Sequence, residues 1–177
     1  MTDESPWSWL SHRQAELAAK SPTEVEQAIA AAIDDDLDVE VRDEDGERQI
    51  VISANRDASR FDRVRELVAA APSIPRWRFI ALRPARGWEF EFHTDRRVDA
   101  RALGFAPRKT DAGLVIRLLV PNPEWERWAD IAWQIVESGI GEEAAAGIAS
   151  LEVGARGDDD HVMAIESLGN YIKRHAS

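Results

Sequence analysis

Apolar positions along this chain change period several times, and each change marks an element. Val25, Ala28, Ile29, Ala32 and Ile33 recur at the spacing of one buried helical face. Ser21, Pro22 and Glu24 stand ahead of them as cap, first-turn proline and capping-box glutamate. A weaker helical pattern over residues 7–19 comes before. Leu37, Val39 and Val41 then alternate with Asp38, Glu40 and Arg42, the period of a half-buried strand. After the turn signal Asp43-Glu44-Asp45-Gly46, the run Ile50 to Ala54 has consecutive β-branched residues and predicts a more central strand. A helix over residues 59–71 buries Phe61, Val64, Leu67, Val68 and Ala71, and Pro72 stops it.

The aromatic stretch that follows reads as a hairpin. A connection at 84–87 sets Phe79 opposite Phe92, Ala81 opposite Phe90 and Arg83 opposite Trp88 on one face. The other face pairs Arg78 with His93, Ile80 with Glu91 and Leu82 with Glu89. A strand pair over 105–108 and 114–120 turns at Asp111 to Gly113. Asn122 and Pro123 then open a helix with Trp125, Trp128, Ile131, Ala132, Ile135 and Val136 on its apolar face and Trp133 at the boundary of that face. A strand over 148–153 and a helix over 162–175 close the chain. No internal repeat is visible. The expected fold is a single α+β domain over residues 1–177: a mixed, mostly antiparallel sheet of about six to seven strands, helices packed mainly on one face, and the N-terminal helices of 1–36 packed on it.

Composition narrows the chemistry. No cysteine is present, which removes disulfides, thiol catalysis and thiolate metal sites. No apolar run reaches membrane-spanning length and no secretory signal is visible, so a cytoplasmic protein is expected. The 22 Lys and Arg against 33 Asp and Glu give a net charge of −11, a surface that repels phosphate and anionic lipid as a whole. One stretch runs against this: residues 76–109 hold nine basic and four acidic side chains. Arg76, Arg78, Arg83 and Arg86 interleave with Trp77, Phe79 and Trp88, the ingredients of an anion-binding or stacking surface. The competing reading is charge balance with Glu89 and Glu91. The four histidines match no helical zinc pair. Asp158 to His161 reads as a helix cap, and Asp34 to Asp36 as a solvated turn. Gly139-Ile140-Gly141 follows a helix rather than a strand, so Gly139 or Gly141 reads as a helix C-cap and the run is not a dinucleotide loop. No nucleophile elbow, Walker loop or HExxH is present; no catalytic residue, metal or cofactor is assigned.

The segment from Leu67 to Pro84, with Ala71-Pro72, Ile74, Trp77, Phe79 and Pro84, resembles a bacterial family of uncharacterised proteins marked by an ELVxxAP…WxFxAxxP pattern. Ile140-Gly141-Glu142 ahead of the 148–153 strand is a second correspondence. The chain departs from that pattern in carrying Arg76 where a glycine is common before the tryptophan, and Asn55-Arg56 in place of a Gly-Asn pair. The resemblance brings no activity with it. The leading functional expectation is a non-enzymatic acidic module that binds another protein, regulatory or immunity-like, with Trp133 and the arginines as contact residues. The alternatives are anion or single-stranded nucleic-acid binding through Arg76 to Lys109, and an enzyme with a dispersed site. A homodimer is an open possibility.

Overall fold

A computed structural model describes residues 6–92, 96–120, 128–156 and 161–175, with the side chains of 90–92, 96 and 97 outside the description. The contacts gather into two compact units, residues Met1–Arg83 and Pro84–Ser177. The class is α+β, and four of the six strand pairings among the described residues are antiparallel. No helix among those residues is long and apolar enough to cross a membrane.

In the N-terminal unit, helices α1 (Ser8–Ala18) and α2 (Pro22–Ala30) precede strands β1 (Asp38–Glu44) and β2 (Glu47–Ser53). Ser21 caps α2 in the expected capping box, with Glu24 reaching back to its backbone N–H at 3.0 Å. The β1–β2 hairpin turns on Asp45 and Gly46, whose φ values of 51° and 78° are those of a two-residue turn that follows strand twist. Helix α3 (Phe61–Ala69) then leads to β3 (Trp77–Ala81), which lies parallel to β2, and the sheet order is β1-β2-β3. Ile50 and Ile52 of the central strand are fully buried, as their β-branched run predicts.

Arg48 ties this unit together. Its guanidinium makes bonds of 2.8 and 2.9 Å to Asp43 and donates to the carbonyls of Leu17, in the last turn of α1, and Lys20, just beyond it, while lying over the Trp77 ring. Hydrogen bonding from Arg48 holds the Asp43 carboxyl below its usual range. A depressed carboxylate contributes stability above its unfolded-state pKa of about 4 and loses it as pH falls further. Asp43 is half exposed, so the contribution is about 0.5 kcal/mol. In urea titrations Asp43→Asn is expected to be less stable than the parent above about pH 5, the gap closing below about pH 4; a pH-independent gap contradicts this.

The C-terminal unit contains the same run of hairpin, helix and parallel strand among further elements. After a two-stranded sheet of β4 (Glu89–Phe92) and β5 (Arg96–Asp99), the hairpin β6 (Gly104–Thr110) and β7 (Gly113–Val120) is followed by α4 (Ala132–Ile140), α5 (Glu142–Ala145) and β8 (Ser150–Ala155). Strand β8 runs parallel to β7, as β3 does to β2. A short β9 (Met163–Ala164) joins β6, and α6 (Leu168–His175) follows. Each unit thus contains a hairpin, a helical connection and a third strand parallel to the hairpin's second, a likeness with no counterpart in the residue pattern. The second core gathers Phe105, Ile116, Leu118, Ile135, Ile165 and Leu168, all fully buried. Gly141, at φ 81°, ends α4 as expected of a C-cap.

The expected hairpin between residues 77–83 and 88–92 does not form. Strand β3 pairs with β2, and β4 pairs with β5 through Glu89 opposite Asp99. The described strands accordingly divide among three sheets instead of one. Residues 84–87 are no turn: the N–H groups of Arg86 and Gly87 both donate to Ser138 O, at 2.7 and 2.9 Å. That strap is fixed to the C-terminal end of α4. The expected caps at Asn122 and Asp158 to Asp160, and Trp125, lie outside the described residues.

Candidate functional site

Strand β3 sits at the edge of the first sheet, and its backbone decides what that edge can do. Arg48 N–H donates to Arg76 O at 2.7 Å and Leu82 N–H to Ile52 O at 2.8 Å. By the alternation of a parallel ladder, Arg78 and Ile80 also turn their N–H groups toward β2, while Trp77, Phe79 and Ala81 turn theirs outward. The Trp77 N–H is taken by Ile74 O at 3.0 Å. Those of Phe79 and Ala81 find no acceptor among the described residues.

The opposite edge is built differently. On β1 the outward N–H of Val39 is accepted by Asp38 Oδ1 at 3.1 Å, and that of Val41 by Glu26 Oε2 at 3.2 Å. Two carboxylates therefore cap β1 against strand pairing, a common protection of sheet edges. Among the described residues, strand β3 has no such cap.

Side chains along β3 fall on two faces. Trp77 and Phe79 share one face with Ile50 and Ile52, and Phe79 meets the Trp7 ring edge-on at 5.1 Å. Phe79 is nonetheless only half buried. The other face carries Arg78 and Ile80, in register with Gln49 and Val51 and, one strand further, with Arg42 and Glu40. Arg42 is paired with Glu40 at 2.5 Å. Arg83 is paired with Asp38 and also donates to Asn55 Oδ1 at 3.1 Å. Arg78 is exposed and has no carboxylate among the described residues. Arg76 donates its Nε to Gly46 O at 2.9 Å, so its charge meets a carbonyl dipole. Arg76 also holds φ 65° at the entry to β3, a left-handed conformation that costs a non-glycine residue about 1 kcal/mol. Asn55 sits at 53° and Arg56 at 71°. The backbone at 55, 56 and 76 is thus one that glycine adopts without strain.

The five sequence candidates fall in both units. Arg76, Arg78 and Arg83 flank or lie on β3. Arg86, exposed, belongs to the strap on α4. Trp133 is half buried against the second core and engaged there, so it acts as a packing residue of α4. Further along the basic stretch, two side chains are neutralised: Arg101 pairs with Asp99 and Glu89 at 2.7 and 3.1 Å, and Arg108 with Glu152 at 2.8 Å. A depression of about 490 Å³ lined by Asp34, Asp35, Asp36, Arg60 and Arg63 carries its own ion pairs, Arg60 to Asp36 and Arg63 to Asp34, both at 3.2 Å. No trio of metal-capable side chains gathers among the described residues. Sequence reasoning missed the open backbone of β3, because an unpaired edge has no residue signature. Compared with known proteins, the chain matches no family model, no curated protein and no solved structure. The resemblance around Leu67 to Pro84 rests on those residues alone.

Proposed function

We propose that this chain is an acidic, non-enzymatic protein-interaction module of the cytoplasm that takes hold of its partner along the outer edge of β3. The observation that carries the reading is the contrast between the two edges of one sheet: β1 is closed by Glu26 and Asp38, while the N–H groups of Phe79 and Ala81 have no acceptor among the described residues. An extended segment laid along such an edge gains main-chain hydrogen bonds immediately, and side-chain pockets add specificity. The arginines beside it contribute charge recognition. Nucleic-acid binding through residues 76–109 draws less support, since Arg83, Arg101 and Arg108 each face a carboxylate.

Ala81→Pro separates binding from folding. Its lost N–H points away from β2, so the ladder is intact and the stability change should stay within about 1 kcal/mol. Proteins co-purified with the parent chain from its native host should be absent from the Ala81→Pro bait at equal bait recovery. In the free protein, amide exchange should alternate, with Phe79 and Ala81 fast and Ile80 and Leu82 slow. Slow exchange at Phe79 and Ala81, or a partner set unchanged by Ala81→Pro, refutes the reading.

A further inference from the structure

The chemistry around β3 narrows the partner, an inference that rests on the interaction reading above. A strand added outside β3 would place alternate side chains on two faces. On one they lie beside half-buried Phe79 and Ala81; on the other they lie beside Arg78, with Arg76 at the strand's entry. We infer that the segment recognised by this edge is an extended acidic one, with carboxylates on the arginine side alternating with apolar residues on the aromatic side.

Three observations select that occupant. The other arginines on the Arg78 face, Arg42 and Arg83, already have carboxylate partners, and Arg78 has none among the described residues. Arg76 is kept in a left-handed conformation that glycine would adopt without strain, while its guanidinium is turned to a carbonyl and meets no carboxylate among the described residues. A second copy of the chain fits poorly. Antiparallel pairing centred on Phe79 sets Arg78 opposite Ile80 of the other copy and brings the two Arg78 side chains close on one face, repulsion with no carboxylate between them. The overall charge of −11 repels acidic segments at long range, so only one that also completes the backbone ladder is retained, which favours specificity over general attraction.

The probe is a synthetic peptide of about eight residues alternating Glu and Val, compared with its Lys–Val counterpart, at near-physiological salt. Titration into the whole protein, followed by amide exchange and fluorescence anisotropy, should show saturable binding of the Glu–Val peptide. Exchange at Phe79 and Ala81 should slow by about tenfold or more when it binds. Arg78→Glu should weaken binding at least about tenfold, and Ala81→Pro should abolish it. Preference for the Lys–Val peptide, with Ala81→Pro still abolishing binding, overturns the acidic partner and leaves the open edge standing. A dimer of the free protein that Ala81→Pro converts to monomer assigns the edge to a second copy and overturns the acidic partner. Binding of neither peptide, with Phe79 and Ala81 already slow to exchange, overturns both.

Discussion

Trp7→Ala is expected to destabilise the N-terminal unit by about 3 to 5 kcal/mol, the range for truncating a buried large aromatic side chain. Trp7 is 3% exposed, and its ring meets Phe79 at a 68° interplanar angle, the edge-on arrangement aromatic pairs prefer. Its indole N–H donates to Leu67 O at 2.8 Å. That carbonyl lies in the last turn of α3, where Ala70 N–H bonds Glu66 O and Ala71 N–H bonds Val68 O, so Leu67 O has no donor from the helix. Trp7 therefore joins three elements: its own helix start, the end of α3, and β3. Trp7→Phe keeps much of the ring packing but leaves Leu67 O unsatisfied, a loss of about 1 to 2 kcal/mol. Urea midpoints for the two variants should fall in that order. A loss under about 1 kcal/mol for Trp7→Ala would show that the site collapses onto the gap.

Gly139→Ala is expected to cost the C-terminal unit about 2 kcal/mol or more, although alanine gains about 1 kcal/mol over glycine in a helix. A methyl at Gly139 would lie 2.2 Å from two atoms of the Trp88 ring and 2.5 Å from a third. The ring cannot step aside freely. Arg86 and Gly87 are bonded to Ser138 O, the Ser138 hydroxyl donates to Gly87 O at 2.9 Å, and Trp88 O accepts from Ala100 N–H at 2.8 Å. Overpacking against a pinned ring costs typically 1 to 3 kcal/mol, and here the expected clash lies at the upper end. A double-mutant cycle with Trp88→Leu should recover most of the loss, with a coupling of about 1 to 3 kcal/mol. If Gly139→Ala proves neutral or stabilising, the contact between Trp88 and α4 is not tight, and glycine at 139 has no packing reason.

Much of what these variants probe was legible in residue spacing. The capping box at Ser21, the Asp45-Gly46 turn, the buried run at Ile50 to Ala54 and the C-cap at Gly141 follow from local rules that act over a few residues. The seat of Trp88 on Gly139 was not legible, because the two residues are far apart in sequence and only the strap over Ser138 brings them together. Nor was the role of Arg83, whose carboxylate partner Asp38 lies on another strand. For the candidate site, the sequence marked Arg76 and Arg78 by their charge among aromatics, but credited them to a hairpin with Glu89 and Glu91.

Most element types, their order and the acidic balance were determined by the sequence alone, since helix and strand periods are written in side chains one to four residues apart; the exceptions are β5, which has no strand pattern of its own, and β9, which falls where the spacing predicts the start of the last helix. Strand partnership was decided only in the folded molecule. The alternation Trp77, Phe79, Ala81 specifies which face is buried equally well beside β2 or beside β4, and the backbone hydrogen bonds that choose between them are the same for any residue. What tips the choice is the second neighbour that buried β2 requires and the strap that ties residues 86–88 to α4. The same choice leaves Phe79 and Ala81 N–H facing outward, so the open edge proposed as the binding site is a property of pairing and has no motif of its own.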